Sequence, residues 1–345
     1  MKKPNLIFIA LICVFVVVEI IMLRPASVET GEEANTGMFK SIESMVKAQK
    51  YNDEVGYTID GFHYTAVEGE VKHWELDSKQ AIFYEKSHLV RAQHAHIKMF
   101  DATEKITLID GDEAVYSMGL RDFDLAGHVK VTFPDGFWIK TEKAHFAAST
   151  GKIMSSEPVY GEAVLKEGDL MQMWGTGFDA GKLDPEVRIF GKAHVRMKRG
   201  ANSEITDVFS DLARIDRFTK LAFFSMKAPT SFVESHQGTL FVKSRRQDAT
   251  YDSDASTVKF MTAYDDVLIK ETDPKSGGLN YATSEKAEFL TLEDKIILSG
   301  FPSAYQEHDT LTGELITIYR KKNLVEVSQA NAFHEGSKQQ QPKQR

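Results

Sequence analysis

Phe123-Asp-Leu-Ala-Gly-His-Val-Lys-Val-Thr-Phe-Pro-Asp-Gly-Phe-Trp-Ile139 is the stretch whose reading decides the fold. Apolar residues occupy every second position, as Phe123-x-Leu125, Val129-x-Val131-x-Phe133 and Phe137-x-Ile139, with turn residues between. Successive side chains of a strand point to opposite faces, so this period marks half-buried β-strands. The alternation recurs in Ile97-x-Met99, Ile106-x-Leu108, Val187-x-Ile189, Val195-x-Met197, Leu240-x-Val242, Val258-x-Phe260, Val267-x-Ile269, Ile316-x-Ile318 and Val325-x-Val327. An all-β architecture follows, with antiparallel pairing as its default.

A weak repeat overlies the strands. Ala81-Ile-Phe83, Ala114-Val-Tyr116, Ala144-His-Phe146, Ala249-Thr-Tyr251 and Ala287-Glu-Phe289 each put a small residue and an aromatic on one strand face. Several β runs end in a glycine motif: Leu125-Ala-Gly127-His-Val129, Ile189-Phe-Gly191-Lys-Ala193 and Leu298-Ser-Gly300-Phe-Pro302. The periodicity predicts stacked strand pairs in a solenoid-like sheet sandwich. The polar stretch Lys198-Arg-Gly-Ala-Asn-Ser203 suits a boundary between two lobes.

Ahead of the strands, Leu6 to Leu23 is apolar except for Glu19. As a helix it reaches roughly 27 Å, close to a bilayer core. Lys2 and Lys3 precede it and Glu29, Glu32 and Glu33 follow, so the basic bias predicts an inside amino terminus and an exported body. Pro25-Ala-Ser-Val28 is a poor small-x-small cleavage site, which predicts an uncleaved anchor. Met38, Phe39, Ile42, Met45 and Val46 at helical spacing predict a short amphipathic helix ending by Tyr51. Cys13, the one cysteine, lies within the apolar run, so no internal disulfide can staple the exported part. The formal net charge of −8 argues against nucleic acid, whose phosphates are bound chiefly by Lys and Arg.

Ile59-Asp-Gly-Phe-His-Tyr64, Trp74-Glu-Leu-Asp-Ser-Lys-Gln-Ala-Ile-Phe-Tyr84, and Trp174-Gly-Thr-Gly-Phe178 leading to Val187-Arg-Ile-Phe-Gly-Lys-Ala-His-Val195 resemble the LptC family of lipopolysaccharide export over about residues 1–200. Ser284-Glu-Lys-Ala-Glu-Phe289, Ile297-Leu-Ser-Gly-Phe-Pro302 and Gly313-Glu-Leu-Ile-Thr-Ile318 running on to Val325-Glu-Val327 look like the OstA-type module of LptA. The resemblance implies a twisted open β-jellyroll in two successive lobes, preceded by one amino-terminal transmembrane helix. The expected organisation is a cytoplasmic tip and anchor over 1–24, a linker with the short helix over 25–56, an LptC-like lobe over 57–200, an OstA/LptA-like lobe over 201–333 and a disordered tail over 334–345. It further implies a single-pass inner-membrane protein with its bulk in the periplasm. Such a protein accepts lipopolysaccharide from ABC transporter subunits of the Lpt type and passes it toward a bridge protein of the LptA type. The alternatives are an anchored β-scaffold without lipid transport and a carbohydrate-active jellyroll.

A lipid groove needs apolar inner faces. The residues expected to line it are Phe83, Ile97, Met99, Ile106, Leu108, Tyr116, Phe123, Leu125, Val129, Val131, Phe146, Val187, Ile189, Tyr251, Phe260, Phe289, Ile316 and Ile318. Met99, Met171, Met173, Met197, Met226 and Met261 offer a deformable lining. Arg196, Lys198, Arg320 and Lys321 are candidate contacts for lipid phosphates.

No catalytic residue, cofactor or metal is expected. Gly175-x-Gly177-x-x-Ala180 matches a dinucleotide fingerprint formally, but Gly181 and Pro185 interrupt the helix that should open there. Gly181-Lys182 is followed by Leu183, which excludes a phosphate loop. His94-x-His96 places two imidazoles on one strand face but lacks accompanying metal-site spacing, so surface histidines are expected. Asp110, Asp112 and Glu113 read as acidic turn residues rather than a glycosidase pair.

Overall fold

The computed structural model describes residues 55–68, 71–101, 105–164, 170–181, 185–198, 205–252, 257–272, 279–306, 309–322 and 324–334. The expected anchor, short helix and tail lie outside these residues. The chain divides into Met1–Asp53 and Glu54–Arg345, and the described residues all belong to the second unit.

Among the described residues all regular structure is β, in antiparallel pairs. The strands are β1 (Val55–Glu68), β2 (Val71–Tyr84), β3 (Leu89–Phe100), β4 (Ile106–Ser117), β5 (Phe123–Thr132), β6 (Trp138–Ala147), β7 (Lys152–Ser155), β8 (Val159–Val164), β9 (Leu170–Gly175), β10 (Gly177–Gly181), β11 (Glu186–Lys198) and β12 (Ile205–Asp216). They continue as β13 (Leu221–Ser225), β14 (Val233–Gln237), β15 (Leu240–Ser244), β16 (Arg246–Asp252), β17 (Thr257–Thr272), β18 (Leu279–Leu290), β19 (Lys295–Ser299), β20 (Ser303–Gln306), β21 (Asp309–Thr312), β22 (Leu315–Tyr319), β23 (Leu324–Ser328) and β24 (Asn331–His334).

From β1 to β6 each strand pairs with the next. Beyond that, long strands split between two ladders. The carboxyl half of β6 pairs with β7 and its amino half with β8. Ladder I then runs through β7, β10, β11, β12, β13, β16, β17, β18, β19, β22 and β23. Ladder II runs through β8, β9, β11, β12, β14, β15, β17, β18, β20, β21 and β24. Of the stretch expected as a boundary, Lys198 ends β11 and the rest lies outside the described residues; β11 and β12 pair from Glu186↔Asp216 to Lys198↔Ile205.

Long strands change ladder at bulges, where an extra residue bends the strand and breaks the pairing. The register shifts fall between Ala126 and Val129, Phe190 and Ala193, and Tyr264 and Val267. Backbone there is left-handed: φ is +75° at Gly127, +62° at Gly191, +61° at Asp265 and +53° at Asp266. The glycine motifs of the sequence are therefore bends. Aspartate replaces glycine in β17 because its short polar side chain tolerates this region better than most. Asp110, Asp112 and Glu113, expected in a turn, lie inside β4 around such a bend, where they meet His96 at 2.5 Å, His128 at 2.7 Å and Arg91 at 2.5 Å. His94 has φ of +51° at the corresponding bend of β3, so it leaves the strand alternation that His96 keeps.

The core is continuous along the chain. One buried cluster extends from Trp74 to Tyr251 and a second from Leu240 to Ile316, and Met261 packs against both. Three expected inward positions face the other way. Ile106 is 39% exposed and Leu108 only half-buried, whereas Thr107 and Ile109 are buried. Opposition to Met99 and Ile97 sets that frame. Phe260 is displaced by the bulge that separates Val258↔Tyr251 from Phe260↔Thr250, which turns Met261 inward instead.

A Cβ at Gly191 would lie 1.9 Å from Thr176 Oγ1, on top of the left-handed φ. Gly191→Ala is expected to cost at least about 1–2 kcal/mol from the backbone alone, read as a lowered denaturation midpoint.

Candidate functional site: two apolar tracks

Fixed register turns the inward positions into rows. In ladder I, Tyr57, Phe83, Val90, Tyr116, Phe123, Phe146, Ile153, Ala180, Val187, Ile215, Ala222 and Ala249 stand directly opposite one another, strand to strand. The row goes on through Met261, Phe289, Ile296, Ile318 and Val325. In ladder II the corresponding row is Tyr64, Leu76, Ile97, Ile109, Val131, Ile139, Gly161, Met173, Val195, Val208, Ser235, Val242, Ile269, Ala282, Ala304 and Leu311. Ser235 is the one polar side chain in the two rows apart from tyrosine hydroxyls.

Members of both rows share the first buried cluster, so the rows face each other over a common interior. Its amino-terminal end is aromatic: Trp74 meets Tyr116 and Phe123 at centroid distances of 5.0 and 4.7 Å, and Tyr57 stacks on Phe83 at 4.3 Å. Apart from Ile106, Leu108 and Phe260, the expected lining residues point inward. Leu125, Ile189 and Ile316 occupy rows beside the main one, with Ala144, Ala213 and Leu298 opposite. All five Ala-x-aromatic pairs lie in ladder I, and each alanine is at most 4% exposed. Met99, Met171 and Met173 are buried, while Met197, Met226 and Met261 pack at the cluster's margin.

The basic candidates are not gathered at one place. Arg196 donates to Asp207 at 2.8 Å, and Arg320 donates to Glu271 at 2.7 Å and Asp294 at 3.2 Å. Lys198 is exposed at the end of β11, and Lys321 is 80% exposed with Asp294 at 3.9 Å. Carboxylates thus already neutralise both arginines.

Between the rows, where β9, β11, β12 and β16 approach, lies a cavity of about 170 Å³. Phe137, Met171, Met173, Val187, Ile215 and Tyr251 form its apolar wall, and Asp135, Arg217 and Lys220 carry its charge. Arg217 is buried; it donates to Asp135 Oδ1 at 2.8 Å and to the Pro185 carbonyl at 3.2 Å, with its guanidinium 4.3 Å from the Phe133 ring centroid. The Tyr251 hydroxyl donates to the Asp216 carbonyl at 3.2 Å. Burial, then the nearby Asp216 and Asp135 charges, push its pKa well above the usual tyrosine range, so it stays a donor. Of this group the sequence reading picked out Tyr251, Met171, Met173 and Val187. Ile215 was legible as Ala213-x-Ile215, but nothing in the sequence pairs Arg217 with a turn 82 residues away.

Residues 34–196 match the model of the family described as lipopolysaccharide-assembly, LptC-related. Residues 228–324 match that of the LptA/(LptD N-terminal domain) LPS transport proteins. The chain thus carries an LptC-related segment followed by an LptA-like one. No curated protein matches it. Among solved structures, LptH from Pseudomonas aeruginosa, the LptA-homologous periplasmic component of the lipopolysaccharide transport device, is 14% identical and covers 38% of this chain and 95% of its own, with a TM-score of 0.34. The Asp135–Arg217 pair therefore joins the LptC-related stretch to residues between the two matched segments, and Tyr251 adds the LptA-like stretch.

Removing one partner of a buried charge pair strands the other. Because Asp135 keeps part of its exposure, Arg217→Ala is expected to cost about 2–3 kcal/mol by denaturant titration, less than for a fully enclosed pair. Asp135→Asn should cost less, and a double-mutant cycle should return a coupling well above experimental error.

Proposed function

We propose that this protein is a periplasmic lipid-transfer component, held at the inner membrane by Leu6–Leu23, that accepts lipopolysaccharide from an ABC transporter and passes it toward the outer membrane. The observation that carries the reading is that one pair of rows, apolar but for Ser235 and the tyrosine hydroxyls, runs through both family-matched modules. Supporting it, the two rows present hydrocarbon and ring carbon almost throughout, which suits acyl chains.

In this reading the two ladders open as a twisted jellyroll, and chains move along the groove between them. The first lobe meets the transporter and the last strands meet a bridge protein. Arg196 and Arg320 act as cross-strand braces, and headgroup phosphates meet exposed lysines such as Lys198 and Lys321.

The test is photo-crosslinking in cells. Crosslinkers replacing Phe83, Tyr116, Phe146, Tyr251 and Phe289 should capture lipopolysaccharide, whereas one at the outward Glu288 should not. Equal labelling of both faces, or a chain purified free of lipopolysaccharide, would overturn the reading in favour of an anchored scaffold.

A further inference from the structure

The outward side of ladder II holds an arrangement that the rows do not use. Val131 and Ile139 face the interior, so Lys130 and Lys140 point away from it, and register sets the two lysines directly opposite each other across β5 and β6. Cβ atoms at such positions are roughly 5 Å apart, and like charges there are destabilising. Both ammoniums also lean on one ring. Lys130 Nζ lies 5.4 Å and Lys140 Nζ 4.9 Å from the centroid of Trp138, which shares the outward face of β6 with Lys140. Trp138 in turn meets Tyr160 edge-on at 5.4 Å.

Other outward cations of this ladder are matched by acids. Lys98 lies 3.8 Å from Glu75 and 3.7 Å from Asp77, Arg196 donates to Asp207 at 2.8 Å, and Lys243 lies 3.7 Å from Glu234. Among the described residues Lys130 and Lys140 have no carboxylate within ion-pair distance. The acids around them are committed elsewhere. Asp110, opposite Lys130 in β4, is bound to His96 at 2.5 Å. Glu162, opposite Trp138 in β8, accepts from the Tyr160 hydroxyl at 2.6 Å. Asp112 and then Glu142 act on His128, whose pKa they hold above its ordinary value.

A bound anion would turn this repulsion into attraction, and the charge count says which anion. A phosphomonoester carries about −1.5 to −2 at neutral pH, which matches two ammoniums. A carboxylate or a phosphodiester, with one charge each, leaves one ammonium unmatched. Lysine serves phosphate as a point charge and needs no fixed fork geometry for it. The surroundings favour a small ligand over a membrane surface. The chain has a formal net charge of −8, and Asp110, Asp112, Glu142 and Glu162 flank the pair, so a sheet of anionic headgroups is repelled where a small anion touches the lysines alone.

We propose that Lys130, Lys140 and Trp138 form a binding site for a small soluble phosphomonoester, whose phosphate bridges the two ammoniums beside the indole. The site lies on the face turned away from the apolar rows and does not rest on the lipid-transfer reading.

The experiment uses the full-length chain in a neutral detergent with its three tryptophans labelled at the indole nitrogen, the Trp138 resonance being assigned with Trp138→Phe. Glucose 1-phosphate should shift the Trp138 indole saturably and leave that of the buried Trp74 in place. Glucose and dimethyl phosphate, a diester with one charge, should do so at least about tenfold more weakly, the equivalent of one charge-assisted hydrogen bond. Lys130→Gln and Lys140→Gln should each weaken binding of glucose 1-phosphate by about the same factor. The double change Lys130→Arg with Lys140→Arg should retain it, as should Lys143→Gln, at an exposed lysine of the same strand. An equal response to dimethyl phosphate, or a saturable shift that survives in the Lys130→Gln, Lys140→Gln double variant, overturns the assignment. So does an absent response or an equal one at all three indoles. A shift produced by vesicles containing phosphatidic acid but not by glucose 1-phosphate overturns the soluble ligand in favour of a headgroup.

Discussion

Everything in this molecule depends on register. Side chains alternate faces with a period of two, so a slip of one residue in any strand pair would move every inward side chain of that strand to the outside. The rows from Tyr57 to Val325 and from Tyr64 to Leu311 exist only because strand after strand keeps its frame. Burial of one face enforces it: in β3, Val90, Ala92, Ala95, Ile97 and Met99 are all at most 3% exposed. Moving the frame would exchange them for Arg91, Gln93, His96 and Lys98.

The bends are the second condition, because a long strand can serve two ladders only if its two halves part company. Left-handed residues make the break without losing the frame. Around it the outer face is tied by cross-strand charge. His128 meets Asp112 at 2.7 Å, and that hydrogen bond holds the imidazole above its ordinary pKa. His63 meets Asp77 at 2.5 Å, and the bond holds the carboxylate below its usual range. The first pairing contributes fully below the unfolded imidazole pKa and fades as pH rises through the folded one. The second contributes above the unfolded carboxylate pKa and fades as pH falls through the folded one. Both contributions coexist in the interval between, although at exposed sites they are small.

Much of this was legible in the residues. The alternation gave strands and faces and the Ala-x-aromatic pairs marked ladder I, whereas the glycine motifs, read as ends of β runs, fall at bends inside β5 and β11. Where the reading slipped, competing frames were at fault. Ile106-Thr-Leu-Ile109 offers two alternations, and the more apolar one, Ile106-x-Leu108, loses because Met99 and Ile97 select Thr107 and Ile109. Val258-x-Phe260 hides an inserted bulge residue that no periodicity reveals. The acids of β4 looked like a turn because polar residues cluster at bends as they do at loops. Arg217 and Asp135 were invisible for another reason: their meeting is set by how β12 and the turn after β5 approach in space, and residue spacing carries no trace of it.

The uniformity of the rows bears on transport. Each buried CH₂ gives about 0.8 kcal/mol, so a fully enclosed chain of about a dozen carbons would be held by roughly 10 kcal/mol and would leave slowly. A row that repeats similar side chains from strand to strand changes little of this when a chain advances by one strand, since what is lost behind is regained ahead. Motion along such a row meets low barriers, and its direction has to come from energy supplied elsewhere. Local departures from uniformity then matter most. The aromatic end near Trp74 is filled, with Phe123 fully buried. The seam between the modules, by contrast, contains a cavity of about 170 Å³ with a lysine in its lining. On the proposed reading, the seam is where the even succession of contacts along the rows is interrupted.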